Sequence, residues 1–415
     1  PKEKQKTPPF SLSLPFMEPS STPRLPLSWR DRALILLAIV LAAFTLWAMG
    51  AWWRLPRNPV GPSGFLLRAV SSTATEVSEP DVTCTESSVS VAAKDPITAP
   101  GEAASTSIRL LFVGDLMLDR NVAARSRAAG DLSYPFRHLP TDWISSFDYA
   151  VANLEGPITA LRRPPEKSID FQFDPKMIAV LKEQGFDAFS QANNHALDQG
   201  YQGYADSVAA LRREGFLVFG HQVQDNEIAL ATTTIKGKTF AFVGWNNTDN
   251  PIDQKQAESV LKTIRPQVDY IIAFMHWGAE YQDRPLPTVV SLTNWLIDQG
   301  IDVVVGAHPH WVQGLEEIDR HPVAYSLGNF VFDQDWSRET QQGLALALMF
   351  EDDTVKVEPI PLAIEKSQPR IVTGAERDAR LKALARISNP VLEQEILAGS
   401  VVYTLHDDGH HEAEE

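Results

Sequence analysis

Cysteine is almost missing from this chain: Cys84 is the single one in 415 residues. That excludes an internal disulfide framework and any thiolate-rich zinc site. Cys84 lies in a polar, Pro-rich stretch with no apolar run before it, which argues against lipid attachment. Positive charge is also in short supply, with 37 Lys and Arg against 53 Asp and Glu and a formal charge of −16. A nucleic-acid binder needs clustered Lys and Arg to neutralise phosphates, so no nucleic acid is expected as a partner. The first 32 residues run against this trend, with Arg24, Arg30 and Arg32 among a small basic excess. The remainder is correspondingly more acidic. Internal repeats and long like-charge blocks are lacking too.

What the chain does have is enough length and apolar content, 44% hydrophobic, for a large core. Residues 1–32 read as a polar N-terminal segment. Ala33 to Trp53 then carries no charged residue over a length that spans a bilayer core. Trp29, Trp47, Trp52 and Trp53 stand at its ends, where amphipathic rings favour the interface. A cleaved signal peptide is the rival reading, with Ala48-Met49-Gly50 as a small-residue cleavage site. The long polar lead and the length of the run favour an uncleaved anchor. On that reading the protein is single-pass, with its C-terminal bulk outside the cytoplasm.

Residues 54–107, rich in Pro, Ser, Thr, Ala and Glu without periodicity, read as a disordered linker. From 108 to 365 apolar runs alternate with helical patterns. Ile108 to Val113, Tyr149 to Ala152, Ala188 to Gln191, Tyr270 to Met275 and Val303 to Val305 predict buried strands. Pro175 to Gln184, Gly203 to Glu214, Gln254 to Ile264 and Pro287 to Gln299 predict helices, three of them stopped by Gly185, Gly215 and Gly300. Runs not separated by helices (Ile228 to Ile235, Thr239 to Val243, Val323 to Ser326, Leu344 to Phe350, Val355 to Ile360) suggest antiparallel strands. The expectation is a mixed-sheet α/β sandwich, with ligands at the carboxyl ends of strands. Residues 366–415 read as a C-terminal extension, helical from Ala375 to Leu397, with an acidic tail whose His406, His410 and His411 are read as solvated.

Chemistry collects at five strand ends. Val113-Gly114-Asp115 offers a carboxylate, which alone reads equally as a helix N-cap. Asn153-Leu154-Glu155 offers a second, and Asn193-Asn194-His195 two amides and an imidazole. His276 follows the run Tyr270 to Met275. Gly306-Ala307-His308-Pro309-His310 supplies an alternating pair of imidazoles. Each has a bland explanation singly, but together they hold four of the ten histidines on loops of one kind. Imidazole, carboxylate and carboxamide suit Mn, Fe or Zn better than Ca or Mg, and one or two divalent ions fit the set. A two-ion cluster would clamp a hydroxide and polarise the atom it attacks.

The order of these motifs, with Ser326-Leu327-Gly328-Asn329-Phe330 and His276-Trp277-Gly278-Ala279-Glu280-Tyr281, resembles the CapA family of bacterial capsule synthesis proteins. That family acts in poly-γ-glutamate capsule formation and resembles calcineurin-like metallophosphoesterases. The resemblance covers about Ile108 to Pro361. It implies Asp115 on one metal, Glu155 in the bridging place, Asn194, His276 and His308 on a second metal, and His310 returning to the first. His195 would protonate the leaving group. Met117 stands where the wider fold family has a histidine, which weakens the first metal position. Arg120 is a candidate to hold an anionic substrate, Glu280 and Tyr281 to line the cleft, and Asn329 to serve as substrate contact, turn residue or hydrogen-bonder to a ligand. Asp333 reads as a supporting residue. The function expected is a metal-dependent hydrolase or transferase, using metal-bound hydroxide on an anionic cell-surface polymer or its precursor. A non-catalytic assembly component beside other membrane polymer-synthesis proteins, or an ordinary phosphoesterase, are the alternatives.

Overall fold

The computed structural model describes residues 107–220, 229–248 and 251–405. The expected N-terminal segment, anchor and linker, apart from Ser107, lie outside these residues, as does the tail from 406. No helix among the described residues is long and apolar enough to cross a membrane.

The chain runs β1 (Ile108–Leu116), α1 (Arg120–Ala129), β2 (Tyr149–Leu154), α2 (Met177–Gln184), β3 (Ala188–Ser190), α3 (Gly200–Arg213) and β4 (Leu217–Phe219). It continues through β5 (Leu230–Ile235), β6 (Lys238–Val243), β7 (Asn246–Asn247), α4 (Gln254–Ile264), β8 (Tyr270–Trp277), α5 (Pro287–Asp298) and β9 (Val303–Ala307). The last part holds β10 (Leu315–Ile318), β11 (His321–Ala324), β12 (Asn329–Val331), β13 (Gln342–Glu351), β14 (Thr354–Glu365) and β15 (Gln368–Ile371), then α6 (Gly374–Ile387), α7 (Glu393–Ala398) and β16 (Val401–Thr404).

These strands form two mixed sheets. The first has the order β15-β14-β13-β1-β2-β3-β4, with β12 beside β1 and β16 beside β14. The second has the order β10-β11-β9-β8-β6-β5, with β7 beside β8. In the first, β1, β2, β3 and β4 run parallel out to the edge, with antiparallel β13 on the other side of β1; in the second, parallel β6, β8, β9 and β11 are flanked by antiparallel β5 and β10.

The period-2 alternation of a strand explains the layering. On β1, Leu111 and Val113 enter a core shared with α2 and α3, whereas Leu110 and Phe112 enter a core shared with the second sheet. On β8, Phe274 joins that inter-sheet core and Ala273 and Met275 pack toward α4 and α5. Phe112 meets Phe274 across the interface, ring centroids 5.7 Å apart. Both faces of the central strands are therefore apolar, which is why they read as unbroken hydrophobic runs. The order of layers is helix, sheet, sheet, helix: a mixed-sheet α/β sandwich.

The C-terminal segment departs from a single helical extension. Ser388-Asn389-Pro390 divides it, because proline has no backbone N–H to continue the ladder; the Asn389 side chain caps the turn that follows. It also supplies β15 and β16 to the first sheet, and Leu384, Ile396 and Tyr403 to the inter-sheet core. Residues 366–405 are thus woven into the sandwich.

Candidate metal centre

The carboxyl ends of β1, β2, β3, β8 and β9 open on one side of the sandwich, where open α/β sheets bind ligands. Two glycines let the backbones converge there. A Cβ on Gly114 would collide with the Gly328 carbonyl oxygen, and one on Gly306 with that of Tyr325. With those side chains absent, Asp115 sits level with Asn153 on β2 and Asn329 on β12. The N-cap alternative for Asp115 is settled by Asp119, whose carboxylate accepts from Arg120 N at 2.7 Å and starts α1.

The donors fall into two groups. Asp115, Glu155 and His310 are buried, and one ligand atom from each lies within 4.8 Å of the others. His310 Nδ1 is 3.0 Å from Asn329 Oδ1 and 3.1 Å from Asp115 Oδ2. Two acceptors fix the proton on Nδ1, leaving the Nε2 lone pair on the Glu155 side, 3.9 Å from Oε1. The second group is Asn194, His276 and His308. His276 Nε2 is 3.0 Å from Asn194 Oδ1, and the His276 and His308 rings have centroids 4.7 Å apart.

Asn153 joins the groups. Its Nδ2 donates to Asp115 Oδ1 at 2.8 Å and lies 3.2 Å from His276 Nδ1. Asn153 thus touches a member of each group, while the Glu155 carboxylate lies with Asp115 and His310. Met117 is fully buried in the helix-side core, its sulfur accepting from Asp119 N at 3.1 Å. It offers the centre no donor.

Electrostatics here favour a cation. Both Glu155 carboxylate oxygens are buried without a hydrogen-bond partner. Burial, reinforced by the charges of Asp115, Glu280 and Asp198, pushes the Glu155 pKa well above its ordinary value. Burial also holds His276 well below its ordinary value, helped by His308, His310 and His195. A neutral imidazole beside uncompensated carboxylates is the donor chemistry of a divalent transition metal, and the residues fit one. Backbone strain collects here too: His308 (φ 97°), His310 (φ 57°), Tyr281 (φ 59°) and Arg120 (φ 51°) are non-glycine residues in the left-handed region.

His195 stands at the edge of the centre, its ring tilted against Phe171 with centroids 4.1 Å apart. Its Nδ1 is 2.6 Å from Asp198 Oδ2, which turns Nε2 outward. Asp198 is itself clamped by Lys167 Nζ at 2.9 Å and Phe171 N at 2.8 Å. Asp198 has no place in the sequence reading, although it lies three residues after His195, while Asn153 and Asn193 stand in its motifs without a role of their own. Asn193 holds the turn, donating to Leu154 O at 2.8 Å and accepting from His195 N at 3.2 Å.

The expected substrate residues divide. The Nε and Nη2 edge of the Arg120 guanidinium is taken up by Asp333, and the side chain remains one third exposed. Asn329 is fully buried, with its amide donating to Gln334 Oε1 and Thr340 O at 3.0 Å each while its oxygen meets His310. It orients His310. Tyr281 lies beside His310, ring centroids 6.0 Å apart, its hydroxyl accepting from Gln334. Burial and neighbouring Glu280 raise its pKa. Glu280 is exposed at the rim.

Comparison with known proteins follows the same residues. The model of the family described as bacterial capsule synthesis protein PGA_cap matches residues 109–334, a span that holds every donor named above. The chain is 28% identical over 275 residues to the PGA biosynthesis protein CapA of Bacillus subtilis (strain 168), covering 62% of this chain and 72% of that protein. It is 28% identical over 291 residues to the capsule biosynthesis protein CapA of Bacillus anthracis, covering 65% and 70%. Among solved structures, a hypothetical protein from Thermus thermophilus aligns at a TM-score of 0.37 and 17% identity, covering 63% of this chain and 96% of that one.

Proposed function

Because the chain belongs to the bacterial capsule synthesis protein family, we propose that it is a metal-dependent hydrolase or transferase acting on an anionic cell-surface polymer of the poly-γ-glutamate kind. The anchor expected at Ala33 to Trp53 would hold it at the membrane, facing outward. The observation that carries the catalytic reading is Glu155: a buried carboxylate with two unpartnered oxygens, facing His310 Nε2 and beside Asp115. An unpaired buried charge is costly, and a cation removes the cost.

Asp115, Glu155 and His310 would hold one ion, with Glu155 supplying the donor that Met117 cannot. Asn194, His276 and His308 would hold a second. An ion bound here supplies a Lewis acid that polarises the scissile bond and acidifies a water. The protein's own residues do the rest. Asn329 keeps the His310 proton on Nδ1, so that Nε2 stays a donor. Asp198 accepts from His195 Nδ1 and stabilises its protonated ring, whose Nε2–H can pass to a leaving group. The buried loops keep bulk water out.

The test is metal analysis of the purified full chain, paired with assays on γ-glutamyl polymers and on phosphodiesters. The expected result is a bound transition metal, largely lost in the His308→Ala, His310→Ala double variant. His195→Ala is expected to keep the metal and lose about 10²–10⁴-fold in turnover. A wild type that stays metal-free under metal-replete conditions overturns the reading. Turnover of phosphodiesters alone would favour an ordinary phosphoesterase, and a metal-loaded protein inert to both substrates would favour an assembly component.

A further inference from the structure

The loop between β12 and β13, residues 332–341, leads from the metal centre to an arginine cluster. Near its start Asp333 takes the Arg120 guanidinium and Gln334 ties Asn329 to the Tyr281 hydroxyl. Next comes Trp336, 61% exposed, meeting Tyr281 edge-on with centroids 5.7 Å apart. Two residues on, exposed Arg338 adds its charge to that of Arg380 on α6. The Arg380 side chain is only 16% exposed and shares Glu376 with Arg370. Its Nη1 has no hydrogen-bond acceptor. The end of α6 is held at this mouth by Arg284, whose Nη2 donates to Arg386 O at 3.3 Å.

Two features here lack a counterpart: a large aromatic face in solvent and a buried guanidinium N–H with nothing to bond. The unbonded N–H is costly, and a ligand with carboxylates and a flat apolar surface would answer the arginine charge and the open aromatic face together. With a charge of −16 over the whole chain, a polyanion needs a local run of arginines to be held against that field. We propose that Trp336, Arg338 and Arg380 form a subsite that carries an extended acidic chain outward from the metal centre. Trp336 stacks on its amide and methylene faces, Arg338 pairs with its carboxylates, and Arg380 behind it adds its charge to the field that holds them. This rests on the polymer reading above and adds to it where the chain lies.

The probe is a fluorescently labelled γ-linked glutamate oligomer, with its binding to the metal-loaded full chain followed by anisotropy over a range of salt concentrations. Trp336→Ala and Arg338→Glu change exposed side chains, so thermal midpoint and metal content should match the wild type. Each variant is expected to bind about tenfold more weakly, and Arg338→Glu to show a flatter salt dependence. If the wild type binds and both variants match it, the subsite is wrong while the polymer reading stands. No binding by the wild type overturns the polymer reading and the subsite with it. Equal competition by a neutral glycan, lost only in Trp336→Ala, would also overturn the assignment, since the arginines would then play no part.

Discussion

Glu155 is the side chain least at ease without a partner. Its two oxygens are buried and unbonded, and burial holds its proton on to a pH well above the ordinary carboxyl value. At this carboxyl group, in protein stripped of metal, the folded state therefore binds more protons than the unfolded one. Stability follows that difference in bound protons, so this contribution is fully present below the unfolded value of about 4.3 and is lost as pH rises through the folded value. Glu155→Gln removes the titrating group. The stripped variant should be at least as stable as the wild type near neutral pH, and its stability should rise more steeply with pH, because the opposing contribution of His276 remains. Denaturant titrations of both proteins between about pH 4 and 7 check this. A variant less stable than wild type throughout, with the same pH slope, would show that Glu155 is comfortable where it is. In metal the order should reverse, because the wild type alone keeps its third donor and gains the binding energy.

At the scale of elements, the centre depends on how closely β1 approaches the turn before β12. Asp115 N donates to Gly328 O at 3.0 Å, and that contact occupies the space a Gly114 Cβ would need. Gly114→Ala should cost about 1–3 kcal/mol, as overpacking does, lowering the melting midpoint by a few degrees and loosening metal retention together. A midpoint unchanged from wild type would mean that the turn yields freely. The same close approach marks where sequence reading stopped. The central strands were legible because both faces are buried, as Leu110 to Val113 on β1 show. β4 and β12 have three residues each, too few for a periodic signal, and α1 buries only Val122 and Ser126. Within the centre, the imidazoles and acids were legible from their repeated place at strand ends. Asn153 and Asp198 were not, because an amide or a carboxylate in a loop is ordinary until its neighbours across the fold are known. A signal for Asp198 did exist: it lies three residues after His195, a spacing that one tight turn closes.

Across the whole molecule, the centre is where the two sheets are pinned together. Asp115, Glu155 and Asn194 lie on or just after strands of the first sheet, whereas His276, His308 and His310 lie on or just after strands of the second. Elsewhere the sheets meet through apolar packing such as Phe112 against Phe274. At this end polar groups of both sheets surround one buried, uncompensated charge. A bound ion is then a cross-sheet clamp, and its binding energy adds to the stability of the sandwich as a unit. At a free metal concentration 100 times the dissociation constant, the gain is about 2.7 kcal/mol. Adding metal to stripped protein should therefore raise the unfolding midpoint. It should also slow amide exchange at the carboxyl ends of β1 and β9 together, although these strands belong to different sheets. The His308→Ala, His310→Ala double variant keeps the first sheet's donors and loses the second sheet's pair. It should show neither the shift nor the joint protection. Protection confined to β1 and β2 would place the ion on one sheet alone and overturn the clamp, even with metal bound at full occupancy.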